Sequence, residues 1–273
     1  MNKRVLVIND LSGFGNTSLM AIIPTLYSFG LKLCILPTSL LSANTCFEGY
    51  QKMDTDDFMR QSLAHWQALK LEFSAIYSGF LANAAQVQIV LSAIDTFAQE
   101  DCLVLIDPVM ADHGKLYSCY DQSMIQAMRH LVARADIISP NYTEACFLAD
   151  LPYGQKCTGQ DLQKLCERLH KLGAKELIIT SVPHEKWDNA VLYSSGAELE
   201  LFKCAYIPCF YTGTGDIFST LMLAYRLQAM DIHEAINRAT QSIYHAIELS
   251  QIAGQPGAEG VLWEKILCRA DLN

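Results

Sequence analysis

Residues 211–220 read YTGTGDIFST: two glycines and two threonines lead into Asp216, and an apolar helical run follows at once. A helix N-terminus presents free N–H groups and the positive end of the helix dipole, which suit anions. Two readings are open from this stretch. In one, Asp216 is a first-turn acid that steadies its own helix. In the other, the turn binds a phosphate and Asp216 acts on a group beside it.

Working outward, short apolar runs recur as buried strands: RVLVI (4–8), LKLCIL (31–36), SAIYSG (74–79), CLVLID (102–107), DIIS (136–139) and ELIIT (176–180). Amphipathic segments of helix length lie between most of them, at 15–29, 54–69, 83–99, 120–133, 143–149 and 160–171. Strand and helix in alternation predict an α/β fold with a mainly parallel sheet and helices on both faces. VLYSS (191–195) and ELELFKCAYI (198–207), with a short glycine-containing turn between them, predict an antiparallel hairpin at one sheet edge. Residues 214–250 read as helical, and 261–268 as a further helix. No repeat, low-complexity tract or composition shift marks a linker, so residues 1–273 are expected to form one domain.

The 273 residues are 51% hydrophobic, with a formal net charge of -9 and no basic run. That balance argues against nucleic acid and anionic membranes as partners. The ten cysteines are scattered, with no C-x-x-C pair, as expected of reduced thiols in a cytosolic protein. The opening MNKRVLVIND has too short an apolar run for a signal peptide, and no run approaches a membrane span. A cytoplasmic location is the expectation.

Open α/β sheets bind ligands beyond the carboxyl ends of their strands. The segments to inspect are therefore Asn9 to Gly15, Pro37 to Thr45, Ser78 to Phe80, Asp107 to Met110, Ser139 to Glu144, and Thr180 with Ser181. GFGNTS (13–18) begins like a dinucleotide fingerprint but has Ser18 at the third glycine position, and the first acid after it is Glu48. There is no G-x-x-x-x-G-K-[ST] loop and no G-x-S-x-G elbow. The seven histidines show no metal-ligand spacing, and His113 reads as a loop residue without function. IDPVM (106–110) ends a buried strand on Asp107, a costly place for a carboxylate without a cation or donors. ISPNYTEA (138–145) offers Asn141 and Glu144, which also fit a plain helix cap with a first-turn glutamate. Two acids at neighbouring strand ends can hold Mg²⁺ through water.

DLSGFG, SANT, YSGF, DPVM, SPNYTEA and GTGD, in that order, resemble the ribokinase-like superfamily, and within it the pyridoxal/pyridoxamine kinase branch. The resemblance spans roughly residues 4 to 250. It implies a ribokinase-like three-layer sandwich. It also implies ATP-dependent phosphorylation of the 5′-hydroxymethyl group of pyridoxamine, pyridoxal or pyridoxine, in vitamin B6 salvage and pyridoxal phosphate supply. Carried over residue by residue, Asp216 is the catalytic base, and Gly213, Thr214 and Gly215 form the anion hole. Asp107 and Glu144 look like members of the Mg²⁺ site, with Ser139 beside them. Asn141, Thr180 and Ser181 fall where the family contacts ATP and a monovalent cation such as K⁺. Asp10, Ser12, Thr45, Phe80 and Tyr117 fall on substrate positions, Tyr117 in a flap. A homodimer is also implied.

Two positions depart from the pattern: Ala111 stands where many relatives have glycine, and Asp10 where many have serine. Both bear on the vitamer. A carboxylate at Asp10 predicts preference for the protonated amine of pyridoxamine; its alternative role is to cap the turn at Ser12 or Gly13. A hydroxymethylpyrimidine kinase of the same superfamily and a non-catalytic pyridoxal phosphate binding protein are the other readings.

Overall fold

The computed structural model describes residues 3–196 and 198–268. It falls into two compact units, one built from residues up to Ala75 together with those from Ala205 onward, the other from Ile76–Cys204.

In the first unit β1 (Arg4–Ser12) leads into α1 (Ser18–Ser28), β2 (Lys32–Leu41), β3 (Lys52–Asp54) and α2 (Asp56–Ala68). The second unit takes in β4 (Ala75–Ser78), α3 (Ala84–Phe97), β5 (Leu103–Ile106), β6 (Ala111–Asp112), β7 (Lys115–Leu116), α4 (Gln122–Val132) and β8 (Ile137–Ile138). It continues with α5 (Tyr142–Ala149), α6 (Gly159–Leu172), β9 (Glu176–Val182), β10 (Ala190–Ser195) and β11 (Glu198–Lys203). The first unit is completed by α7 (Thr214–Leu227), α8 (Ile232–Ile252) and α9 (Trp263–Leu267).

The main sheet has nine strands in the order β11-β10-β9-β8-β5-β4-β1-β2-β3. β1 with β2, β5 with β8, and β8 with β9 pair in parallel, whereas β3, β10 and β11 run antiparallel to their neighbours. This is the mostly parallel sheet, with helices, expected from the apolar runs. Central strands such as Val5–Ile8 and Ala75–Ser78 are wholly buried, as strands covered on both faces must be.

The helices start where local chemistry allows. Asn83 caps α3 by accepting from the Gln86 N–H, and Asp231 caps α8 by accepting from the His233 and Glu234 N–H groups. Thr158 and Asp161 cap α6 reciprocally, and Gly173 ends it at φ 116°. In the first unit, α1 packs on β1 and α7, and the buried Trp263 indole donates to the Thr25 hydroxyl at 2.6 Å.

Three features add to the sequence reading. The stretch 214–250 is two helices, broken where Ala229 turns left-handed (φ 58°) ahead of the Asp231 cap. β3 is three exposed residues with no apolar run to betray it. β6 and β7 form a two-stranded hairpin turned by His113 (φ 48°) and Gly114 (φ 76°), the paired positive φ values of a tight hairpin turn.

Candidate active site

In the first unit, Asp216 lies in the first turn of α7 yet serves a different helix. Its Oδ2 accepts the main-chain N–H of Ser18, the first residue of α1, at 2.9 Å, and its Oδ1 accepts from Asn9 Nδ2 at 3.3 Å. Thr17, the residue preceding α1, makes no side-chain cap. Asp216 thus supplies the anion that α1's N-terminus lacks. Burial is the main cause that pushes its pKa up to about 6; the Asp10 charge adds to this, while the Ser18 N–H and Asn9 oppose it. A carboxylate so placed can accept a proton near neutral pH.

Gly213 precedes α7 at φ 79°, and a Cβ there would stand 2.3 Å from the Asn16 carbonyl oxygen. Only glycine fits such a close approach at positive φ. α7 also lacks a side-chain cap, and a Cβ on Gly215 would meet nothing within 4 Å. First-turn N–H groups have no intrahelical acceptor, so this turn offers donors beside open space.

Asp10 is buried at a register shift between β1 and β2, the kind of irregularity that re-aims a side chain. Its Oδ2 accepts the Ser12 hydroxyl at 3.1 Å, and the Ser18 hydroxyl also bonds to it. Burial raises its pKa above the usual carboxylate range, against the pull of both serines. The Gly13 N–H goes instead to the Leu41 carbonyl, so Asp10 acts through hydroxyls rather than as a turn cap on that amide.

A segment missed in the sequence ties these loops together. Residues 257–261 accept from the Thr212 and Asn16 N–H groups, from Asn16 Nδ2 (Val261 carbonyl, 3.0 Å) and from Asn44 Nδ2 (Ala258 carbonyl, 2.7 Å). Asn44 is buried, whereas Thr45 beside it is exposed. Gly257 admits the close pass, since a Cβ there would fall 2.1 Å from the Phe210 carbonyl.

In the second unit, Glu144 is buried and its carboxylate accepts three main-chain N–H groups: Met110 at 3.0 Å, Ala111 at 3.5 Å and Asn141 at 2.8 Å. Asn141 completes a capping box by accepting from the Glu144 N–H, while its amide donates to the Ala111 carbonyl. Burial drives the Glu144 pKa well above the ordinary range, and the neighbouring Asp107 charge drives it further. Two buried, mutually repelling carboxylates are hard oxygen donors that a divalent cation would relieve. Because Glu144 already holds three donors, contact through water fits it better than direct ligation.

Thr180 bridges Asn141, and Ser181 sits at φ 56° inside β9, opposite a register shift with β10. Tyr117 follows the β6–β7 hairpin and is exposed; its ring is 6.5 Å from Tyr120, whose ring is in turn 5.8 Å from Phe80. The hairpin is anchored by the Gly114 N–H on the Thr143 hydroxyl (3.1 Å).

Residues 17–260 match the family model described as phosphomethylpyrimidine kinase. The chain belongs to this family. A Bacteroides thetaiotaomicron protein, solved as a candidate phosphomethylpyrimidine kinase in an orthorhombic form with pyridoxal, is 37% identical with a TM-score of 0.94, over 98% of this chain and 95% of that one. The Bordetella pertussis pyridoxine/pyridoxal/pyridoxamine kinase is 28% identical over 88% of this chain and 87% of its own length. A Schizosaccharomyces pombe candidate pyridoxal kinase is 30% identical over 58% of this chain, which spans only 48% of that protein. The fold is therefore the ribokinase-like one, and the chain is a member of the pyridoxal/phosphomethylpyrimidine kinase family.

Within the first unit of this family member, Asp10 and Ser12 adjoin the Asp216 turn through Ser18 and Asn9. Within the second, Asp107, Glu144, Asn141 and Thr180 cluster. The contacts of Asn9, Ser18 and Asn44 and the ties of the 257–261 segment lay beyond the sequence reading, although Asn9 stood in a strand end marked for inspection and Ser18 at the third glycine position of GFGNTS. Asn44 was inside the quoted SANT motif, and PGAEG (256–260) carried a glycine pair that could have flagged a close backbone pass. Nothing local marked the bonds that Ser18 makes to two carboxylates. A separate groove of about 670 Å³, lined by residues such as Cys166, His170 and Ser194, holds none of the expected site residues.

Proposed function

We propose that this chain transfers the γ-phosphoryl group of ATP to the 5′-hydroxymethyl group of pyridoxal, pyridoxamine or pyridoxine, and acts as one kinase domain. The observation that carries the reading is Asp216: a carboxylate with its pKa lifted to about 6, at the start of a helix whose first turn offers free N–H groups. The similarity to a protein crystallised with pyridoxal supports the substrate class.

In this reading Asp216 takes the hydroxyl proton as the substrate oxygen forms its bond to the γ-phosphorus. The bond from that phosphorus to the bridging oxygen breaks, and its electron pair leaves on ADP. The amides of Gly213, Thr214 and Gly215 stabilise charge on the phosphoryl oxygens in flight. Asp107 and Glu144 would hold Mg²⁺, which would neutralise phosphate charge when bound. Asn141 shapes that corner, and Thr180 and Ser181 meet the nucleotide phosphates and a monovalent cation. Ser12, Thr45, Phe80 and Tyr117 contact the vitamer.

The family model's description favours a second reading, phosphorylation of hydroxymethylpyrimidine. ATP consumption with each vitamer and with hydroxymethylpyrimidine, measured in parallel, tests both; consumption with hydroxymethylpyrimidine alone selects the second. Absence of turnover with any of them, together with retained pyridoxal phosphate binding, selects a non-catalytic binding protein. Among the described residues, no helix is long and apolar enough to cross a membrane. A cytoplasmic homodimer is part of the proposal, and a solution mass equal to one chain would contradict the dimer.

A further inference from the structure

Ser18 stands in a backbone conformation that its own helix does not require. Its φ is 50°, left-handed, at the first residue of α1. A non-glycine residue held there is strained and persists only where its surroundings dictate it. Its surroundings here are two carboxylates. The Ser18 N–H donates to Asp216 Oδ2 at 2.9 Å, and the Ser18 hydroxyl bonds to Asp10.

A second link runs through Asn9. Its Oδ1 accepts the Asp10 main-chain N–H at 2.9 Å, and its Nδ2 donates to Asp216 Oδ1 at 3.3 Å. Asp10, Asn9, Asp216 and Ser18 therefore form a closed ring of hydrogen bonds. Asn9, Asp10 and Ser18 are all buried. The Thr17 hydroxyl next to the ring is buried with no partner, so α1 gives up its ordinary cap in favour of Asp216.

We infer that Ser18 and Asp10 are positioning residues for the base: Ser18 fixes the two carboxylates together, and the charge on Asp10 governs when Asp216 can accept a proton. The inference rests on the reading of Asp216 as the base. The groups that face Asp216 are Asp10 and Asn9 from β1, Ser18 from α1, and the N-terminus of α7 itself; Asp10 is the charged one. A like charge held close, away from water, disfavours ionisation of its neighbour, and the pair titrates together. Burial is the larger cause that makes Asp216 a stronger base than an ordinary aspartate, and the charge on Asp10 adds to it. With Asp10 tied to Ser12 and Ser18, it acts on the base rather than on an amine of the substrate.

The test is the pH profile of kcat/KM from pH 5 to 9, with pyridoxal and with pyridoxamine, for the wild type, Asp10→Asn, Ser18→Ala and Ser18→Gly. A parallel ¹³C NMR titration follows the Asp216 carboxyl. Asp10→Asn removes the charge and keeps the shape, so the acid limb and the Asp216 titration should both move down, by roughly one unit. Ser18→Ala removes the hydroxyl that holds Asp10 ionised, so a smaller shift in the same direction is expected. Ser18→Gly accepts the left-handed φ without strain and should shift as Ser18→Ala does, which separates the hydroxyl from the backbone.

An acid limb and an Asp216 titration unmoved in Asp10→Asn would overturn the inference. So would a change confined to the pyridoxamine-to-pyridoxal ratio of kcat/KM, which would return Asp10 to the substrate. Asp216→Asn is the control for the underlying reading. If it keeps more than a tenth of wild-type kcat, the base assignment falls; if it is inactive while Asp10→Asn leaves the limb in place, only the present inference falls.

Discussion

Gly213 and Asn16 approach so closely that a Cβ on the glycine would lie 2.3 Å from the asparagine carbonyl oxygen, whereas a Cβ on Gly215, two residues on, would meet nothing within 4 Å. The two glycines therefore answer differently to the same substitution. Gly213→Ala must shift backbone and adopt positive φ, and should lower stability by about 1–3 kcal/mol. Gly215→Ala should raise stability by roughly 0.5–1 kcal/mol, as for any helical glycine, yet lower kcat because the methyl group fills the phosphoryl space. Denaturant midpoints and kcat on both variants check this. A Gly215→Ala enzyme with undiminished kcat would remove that amide from the anion hole.

Asp216→Asn should cost ~10²–10⁴ in kcat while leaving substrate binding nearly intact, the usual loss for a general base. In the wild type, kcat/KM should rise with pH through about 6, since the ionised carboxylate is the active form. A profile flat between pH 5 and 7 would contradict this.

The same carboxylate carries a stability signature of opposite sense. Its folded-state pKa is about 6 against an ordinary value of 3.8, so folding favours the protonated form. That contribution is fully present below 3.8 and is lost as pH rises through 6. Asparagine imitates the neutral form. Asp216→Asn should therefore melt higher than the wild type at pH 8, with the difference closing near pH 4. An unchanged Tm at pH 8 would refute the linkage.

Activity should require Mg²⁺ or a similar hard divalent ion and vanish after exhaustive EDTA treatment. Asp107→Asn should raise the Mg²⁺ concentration needed for half-maximal activity. Glu144→Gln should do the same, but its three N–H partners make it a structural residue as well, so its denaturant midpoint should fall too. An identical Mg²⁺ titration in either variant removes that residue from the metal site.

Asn44 donates to the Ala258 carbonyl and accepts from the Cys46 N–H at 3.0 Å, so Asn44→Ala breaks two hydrogen bonds at a buried position. A loss of about 1–3 kcal/mol is expected, read as a lower denaturant midpoint at unchanged m. A midpoint within error of the wild type would mean that the 257–261 segment does not depend on this tie.

The sequence by itself determined the alternation of strands and helices, because buried parallel strands must be apolar runs and their helices must be amphipathic. It also marked the strand ends that bear Asp10, Asp107 and Glu144, and the glycine turn before Asp216, since tight turns and capped helix starts need particular residues next to one another. Tertiary structure decided what those residues touch. Glu144 reads locally as a cap for its own helix, and it is one, but its bonds to the Met110 and Ala111 amides come from a loop 34 residues away. One local reading of Asp216 made it an acid for its own helix; its carboxylate instead accepts the first N–H of α1, 198 residues back in the chain. The role of Ser18 had no local signal, because it lies in the meeting of two carboxylates from distant segments. Spacing records neighbours along a strand or helix, whereas the charge that one carboxylate imposes on another depends on distance through the folded chain.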